Sequence, residues 1–582
     1  MKNAIKREPC KLVCRWPSVS ILCNKKTIIT ILLALVSMAG QGQTEASALI
    51  RGRIINVPKG HEDRLTIHCT EPLQTMSSDE VPLQLDSLGR FEVEVPLLDT
   101  APVILVWTRL LLSPGEIYCV EMDGGTGNVI VKGKDAQLSN EVIAHQPSVC
   151  TWDMDWMKAQ TDAVVIDEAE KELKRLQAAN ESIYKSNPTL SAQWRNYANS
   201  RAIASIANYL VQRRYVDATV RQSADGKLWQ WLHDHFICHL PQPYTLIQDQ
   251  LGYIVMNYTM ELIAPRQRKG FNLRGIDTAI SIALEQQADG TINRSDAYAD
   301  SLRTLRTLLQ DYKTLMNNNA ADSVLKNHPF ALTVQQYFSD TYLLGLLRDG
   351  AVGERETMEN IERLKDFDMP EDIRDYARAV LLYTQIEQYH APLKSPLFNL
   401  VAEVKNDYLR NIITSTNERY HTLALRSDYE SSLMPNEPLE GLTDGKEIFD
   451  KIIAPYRGRI VFVDFWGTWC GPCKMDLKNF THPLHQALSD LPVTYLYLCN
   501  GSKTEAWRST IAEYNLTGEH LVHYNLPAVQ QSAVEKYLHV SHFPTYIIFD
   551  QEGRRVTTED SEPKPYNPEA VRRMMQETMN RK

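Results

Sequence analysis

The stretch Ile460-Val-Phe-Val-Asp464-Phe-Trp466-Gly-Thr-Trp469-Cys470-Gly-Pro-Cys473-Lys474 decides how the last part of this chain folds. Its first half is an apolar run rich in β-branched and aromatic residues, the composition of a buried strand. Its second half holds two cysteines separated by Gly471 and Pro472, and a helix can start there, because proline is tolerated where no N–H is needed. A cysteine at a helix N-terminus has unpaired N–H groups and the positive end of the helix dipole beside its sulfur. Such positions lower a cysteine pKa to about 3.5–7.5, and the thiolate is the species that attacks a disulfide. The spacing lets Cys473 return to Cys470 one turn on and resolve a mixed disulfide, with Gly471 and Pro472 fixing the turn. Asp464 interrupts the apolar strand six residues before Cys470. Buried there without a partner it is expensive as an anion, so its pKa should rise; exposed at a strand end it would be ordinary.

Downstream, 493–500 should be the neighbouring parallel strand, ending in Cys499 on the same edge as the cysteine pair. Cys499 is either a third thiol beside the pair or a buried cysteine acting as a small hydrophobe. A helix over 506–516 and a closing helix over 568–581 complete the reading, the latter with Pro568 in its first turn.

The Phe-Trp-x-x-Trp-Cys-Gly-Pro-Cys-Lys run, together with Tyr537-Leu-His-Val-Ser-His-Phe543-Pro544-Thr-Tyr-Ile-Ile-Phe549-Asp-Gln-Glu-Gly553, closely resembles thioredoxin, and more specifically the exported thiol–disulfide reductases of the TlpA and ResA type. The resemblance covers about 441–577. It implies that Pro544 is cis and lies against the Cys470 sulfur, and that the Phe543 backbone pairs with substrate. It implies that Asp464 takes the proton from Cys473, and that Trp469, Gly471, Pro472 and Phe543 meet the substrate. Read without it, Pro544 is a trans residue opening an edge strand. The sequence departs from ResA-type proteins at Ser502, where they place a glutamate; Glu505 follows a turn later. It also has Lys478 where the family often has a helix proline. The segment 518–525 is expected to be the insertion that exported members add to the thioredoxin fold.

Outward from this region the pattern changes. Residues 48–135 read as β, with strands at 49–57, 65–69, 81–85, 90–95, 103–107, 116–122 and 128–133 separated by turn residues. Phe91, Val93 and Val95 alternate with charges, as in a half-buried antiparallel strand. Over 140–425 the period becomes that of helices, eight to ten of them, and 426–440 is a linker with Pro435 and Pro438. The expected architecture is multidomain: an N-terminal antiparallel β domain resembling a sandwich, a central α-helical domain, and a C-terminal α/β thioredoxin fold over 441–582. Residues 1–39 read as a cleaved signal peptide, a basic region closing at Lys25-Lys26 before a short apolar run, with an uncleaved anchor as the alternative. His233, His235, Cys238 and His239 suggest metal ligation, since His235 and His239 stand i, i+4. No third ligand is identifiable, and no metal is expected.

The chain has 582 residues and a net charge of −10, and the leader holds seven basic residues against one acidic, so the remainder is more acidic still. Nucleic acid is therefore not an expected partner. Seven of the cysteines follow the leader, an odd and scattered set with one close pair, which suits a redox pair better than a disulfide scaffold. The resulting expectation is an extracytoplasmic, periplasmic enzyme that reduces or exchanges disulfides in envelope proteins. It needs no bound cofactor, because the dithiol is the redox group, but it needs a membrane-embedded electron donor. A disulfide oxidase or isomerase is one alternative. A binding protein whose first two domains carry the main role is the other.

Overall fold

A computed structural model describes residues 47–580, apart from 58–64, 71, 74–78, 98, 217, 223–225, 241–243, 264–271, 319, 339–340, 349 and 557–561. The leader expected over 1–39 lies outside the described residues.

The described residues open with eight strands in two sheets. β1 (Ser47–Ile55), β4 (Arg90–Pro96), β7 (Ile117–Asp123) and β8 (Val129–Lys132) form one, in the order β4-β1-β7-β8. β2 (Thr66–Cys69), β3 (Asp79–Pro82), β5 (Ala101–Leu105) and β6 (Thr108–Leu112) form the other, in the order β3-β2-β5-β6. Alternate residues such as Ile50, Phe91, Val103, Leu110, Tyr118 and Val120 close a single core between them. All pairings are antiparallel except β1 with β7, which run parallel. β6 was not expected from the sequence. It returns from β5 through Val106 and Trp107, with Val106 in the left-handed region at φ 57°. A valine there carries none of the Gly, Asn or Asp signals that mark such a turn.

From Asp162 to Leu425 the described residues hold thirteen α-helices, more than the eight to ten expected. Two of them, Ala218–Arg221 and Asp322–Lys326, are about one turn long, and Pro329–Phe338 and Thr341–Arg348 are also short. Side-chain caps start several of them: Thr161 accepts from Val164 N, Ser191 from Trp194 N and Asn406 from Leu409 N. The helices close two large apolar cores, and Trp229, Trp231 and Tyr258 help fill the larger one. The β sandwich is tied to the helices where Arg109 of β6 and Arg201 share Asp249, at 2.7 and 3.0 Å. Four helices matter below: α1 (Lys227–His235), α2 (Ala351–Arg363), α3 (Glu371–Tyr389) and α4 (Asp407–Leu425).

The histidine cluster does not form the expected pair. α1 ends at His235, Phe236 leaves helical geometry, and His239 lies in a separate 3-10 turn, Ile237–His239. His235 stacks on Trp231, while His233 bonds the Tyr258 hydroxyl at 3.0 Å and Cys238 at 3.2 Å. Among the described residues no group of His, Cys, Asp and Glu could hold a metal ion.

The last part of the chain is an α/β layer structure. β9 (Ile460–Trp466), β10 (Val493–Cys499) and β11 (Leu521–Asn525) run parallel, and β12 (Thr545–Phe549) lies antiparallel to β9, giving the order β11-β10-β9-β12. The segment 518–525 thus supplies an edge strand. Period-2 alternation sorts β9: Val461, Val463 and Phe465 face α5 (Gly445–Ile453) and α8 (Ala528–Tyr537). Ile460, Phe462 and Trp466 face α6 (Gly471–Asn479), α7 (Thr504–Glu513) and α9 (Pro568–Asn580). Both faces of the sheet are therefore covered, which is why β9 is buried along its whole length. Among the described residues no helix is long and apolar enough to cross a membrane.

Candidate functional site

The site begins where β9 leaves the sheet. Gly467, Thr468 and Trp469 carry the chain to Cys470, the N-cap of α6, with Pro472 in the first turn. Gly467 is required by close approach: a Cβ there would stand 2.6 Å from Trp469 Nε1 and 3.0 Å from Asn500 O. Trp469 Nε1 donates to Asn500 O at 2.9 Å. Ser502 holds the same loop, its hydroxyl accepting from Thr468 N at 3.0 Å and donating to Asn500 O at 3.0 Å. The residue that departs from the ResA pattern therefore braces the turn in front of the cysteines. Glu505, a turn later, faces the helical part and pairs with Lys394 at 2.7 Å.

Cys470 and Cys473 are joined, with a sulfur–sulfur distance of 2.01 Å and Cα atoms 5.3 Å apart. The Cys473 N–H donates to Cys470 Sγ at 3.2 Å, so an otherwise unpaired donor of the first helical turn is aimed at that sulfur. Cys470 is 5% exposed and Cys473 1%, while Gly471 and Pro472 are exposed. The pair is thus reached over the Gly471–Pro472 turn, and Cys470 is the sulfur nearer to solvent. The Phe543–Pro544 bond is cis. Phe543 sets its ring edge-on to Trp469 with centroids 5.2 Å apart, which places the two loops side by side at one end of the sheet.

Asp464 lies on the α6 face of β9, between Tyr497 of β10 and Tyr546 of β12 in register. It is 4% exposed, and its Oδ1 has no hydrogen-bond partner. Burial pushes its carboxyl well above the usual carboxylate range, and the Asp476 and Glu562 carboxylates push the same way. Those two acids were not singled out in the sequence. Asp476 stands one turn after Cys473 on α6 and accepts from the Tyr546 hydroxyl at 2.7 Å; Glu562 accepts from Tyr546 N at 2.9 Å. The i, i+3 spacing of Cys473 and Asp476 was the available signal. Cys499 ends β10 opposite Trp466, fully buried, its thiol pushed up to about 12 by burial. That is the environment of an inert core cysteine.

The structure also brings the helical part to this site, which the sequence did not suggest. Lys474, next after Cys473, extends its ammonium to the carbonyls of Glu387 at 3.2 Å and Gln388 at 2.6 Å in the last turn of α3. The Ser509 hydroxyl of α7 donates to the carbonyl of His390, two residues further on and just past the end of α3. The His390 ring is buried against Glu513 at 2.6 Å, and Arg419 of α4 reaches the same carboxylate at 2.6 Å. Although Glu513 is buried, the His390 ring, the Arg419 guanidinium and the Tyr420 hydroxyl hold its carboxyl down at about 2. Lys503 pairs with Glu354 of α2 at 2.9 Å on the same side.

A family model described as thioredoxin-like matches residues 458–555. Thioredoxin from Mus musculus is 44% identical over 50 residues, covering 9% of this chain and 47% of that protein. The thiol-disulfide oxidoreductase ResA of Bacillus subtilis is 29% identical over 131 residues, covering 22% of this chain and 65% of that protein. The chain thus spans about half to two-thirds of the length of these relatives. Among solved structures, the thioredoxin domain of a thiol-disulfide oxidoreductase from Bacteroides vulgatus is 23% identical, covering 21% of this chain and 84% of that one, with a TM-score of 0.19. The C-terminal part of the chain is a thioredoxin-like domain, similar in sequence to ResA-type thiol-disulfide oxidoreductases and preceded by a large β and α-helical extension.

Proposed function

We propose that the protein is an extracytoplasmic thiol–disulfide oxidoreductase that reduces or exchanges disulfides in envelope proteins. The observation that carries this reading is the Cys470–Cys473 disulfide at the N-terminus of α6, with the Cys473 N–H on the Cys470 sulfur and the cis Phe543–Pro544 loop beside it. In the reduced pair the Cys470 thiolate attacks a substrate disulfide, forming a mixed disulfide and releasing one substrate thiolate. Cys473 gives its proton to the Asp464 carboxylate and attacks the Cys470 sulfur, which releases the second substrate thiol. The substrate gains two electrons and two protons, and the pair becomes the disulfide. Asp464 suits this exchange because a carboxyl whose pKa is raised by burial binds a proton more readily than an ordinary carboxylate does. Phe543 and Pro544, with Trp469, Gly471 and Pro472, form the rim on which an extended substrate segment lies, the Phe543 backbone pairing with it as a strand would.

On this reading residues 441–582 are the catalytic domain, and 48–135 and 140–425 are the extension that holds it. The basic and then apolar leader over 1–39 supports export. Outside the cytoplasm the pair must be re-reduced, and a membrane-embedded dithiol donor is the partner that this chemistry requires. The test is Cys473→Ser in the full chain exposed to envelope extract. Mixed disulfides that are released by dithiothreitol and vanish when Cys470→Ser is added are expected. Extracts that yield none would overturn the assignment of envelope proteins as substrates.

A further inference from the structure

The contact between Lys474 and α3 reaches further than domain docking. Lys474 stands four residues after Cys470, so it shares that cysteine's face of α6, and side chains of a helix lean toward its N-terminus, here toward the 470–471 turn. A lysine at this place on an isolated thioredoxin-like domain would extend into water, where its field is screened. Here its ammonium is anchored on two main-chain carbonyls of another part of the chain, Glu387 O and Gln388 O. Those are end carbonyls of α3, which a cation caps favourably. Three carbonyls at and just past the α3 end are therefore held by the thioredoxin-like domain: those of Glu387 and Gln388 by Lys474, and that of His390 by Ser509.

We propose that the helical part is a component of the redox centre: by fixing the Lys474 ammonium on the Cys470 face of α6 it favours the Cys470 thiolate and makes the disulfide easier to reduce. This rests on the oxidoreductase reading above and adds a setting of its potential. The reasoning is electrostatic. A fixed cation in a water-poor contact stabilises an anion on the same helix face more than a solvated one does, and stabilising the reduced form raises the reduction potential. The charged groups facing the ammonium are Glu387 of α3 and Glu513 of α7. Glu513 is already answered by Arg419 and His390. Burial lowers Lys474 only to about 8, so it keeps its proton at neutral pH. On the other side of α6 the cluster of Asp464, Asp476 and Glu562 is set against Tyr546, with Lys564 on Glu562.

The experiment equilibrates the full chain with glutathione, in which the protein disulfide and two glutathione thiols exchange to the protein dithiol and oxidised glutathione. Removing the cation in Lys474→Met raises the thiolate's energy, so the dithiol is disfavoured. The equilibrium constant is expected to fall about fivefold, about 20 mV for a two-electron couple, and the pH midpoint for alkylation of Cys470 by iodoacetamide to move up. Lys474→Arg should restore both. His390→Ala with Ser509→Ala, which leaves Lys474 in place but releases the α3 end, should move both readouts the same way by a smaller factor. If Lys474→Met does not fold, Lys474→Gln carries the same comparison. A constant and a pH midpoint unchanged in the folded Lys474 variant would overturn the proposal, and unchanged values in the His390/Ser509 variant would remove the helical part from it. Failure of the unaltered chain to exchange with glutathione would instead break the oxidoreductase reading.

Discussion

Two carboxylates of the thioredoxin-like domain, Asp464 and Glu513, are both buried, and their environments drive them in opposite directions. Asp464 sits on β9 under α6 with one oxygen lacking a hydrogen-bond partner and two further acids nearby, so burial and those acids raise it. Glu513 sits at the end of α7 against His390, Arg419 and Tyr420, and is held at about 2. Burial supplies the penalty in both cases, and the partners decide the sign. An acid held as an anion by fixed partners cements two parts of the chain. An acid left without them can take up and release a proton, which is what chemistry at Cys473 needs.

The largest test of that contrast is on the cemented side. Glu513→Ala leaves Arg419 and His390 facing a void, and loss of one member of a buried pair costs about 3–5 kcal/mol. Urea unfolding of the full chain should show that loss, with the helical part released first. The same group gives the wild-type chain an acid limb. Its folded pKa is depressed from 4.5 to about 2, so its stabilisation is complete above the unfolded value and is lost as pH falls toward 2. A shift of that size is worth about 3 kcal/mol. A Glu513→Ala chain as stable as wild type would erase the distinction between the two acids.

The other side predicts a smaller effect of opposite sign. Asp464 has a folded pKa raised well above its ordinary value of 3.8, so its protonated form is the one the fold favours. Wild-type stability on its account is complete below the unfolded value and declines as pH rises through the raised folded one. Asp464→Asn removes that dependence and should stabilise the chain at neutral pH, read as a higher urea midpoint than wild type. It should also slow resolution of the mixed disulfide about a hundredfold, the lower end of general base catalysis, with a flattened pH profile in stopped-flow exchange. A variant that is destabilised and exchanges at the wild-type rate would mean that Asp464 is structural, as Glu513 is.

How much of this was legible in sequence follows the same division. The placing of Asp464 was, because strand alternation puts it on the same face of β9 as Phe462 and Trp466, the face that α6 covers. The cysteine turn was legible because Gly471, Pro472 and the preceding strand are local signals. The β5–β6 turn was not, since Val106 adopts a left-handed conformation that valine rarely signals. The break that separates His235 from His239 was not, since it falls at Phe236 with no glycine or proline to mark it. Least legible was the grip on Lys474. Its acceptors are main-chain carbonyls 87 and 86 residues away, and a carbonyl has no letter in the sequence. Glu513 likewise acquires its meaning from partners far off in the sequence, His390, 123 residues earlier, and Arg419, 94 residues earlier.

The smallest expected effect concerns Cys499, which lies on the Asp464 face and near enough to feel that carboxyl. Its thiol is fully buried, pairs in register with Trp466 and Asn525, and belongs to the apolar cluster that also holds Cys470 and Cys473. Burial pushes it up to about 12, so at neutral pH almost none is thiolate, and a thiol in that state neither attacks nor resolves a disulfide. Cys499→Ala should therefore cost about 1 kcal/mol, the usual order for trimming a buried side chain, and leave the exchange rate unchanged. Iodoacetamide should not label Cys499 in the folded chain, whether the pair is oxidised or reduced, and should label it on unfolding. Labelling that follows the redox state of the pair would make Cys499 a third participant. It would also mean that the reduced site opens β10 to solvent, so that the burial on which the assignment of Asp464 depends would hold only in the oxidised form.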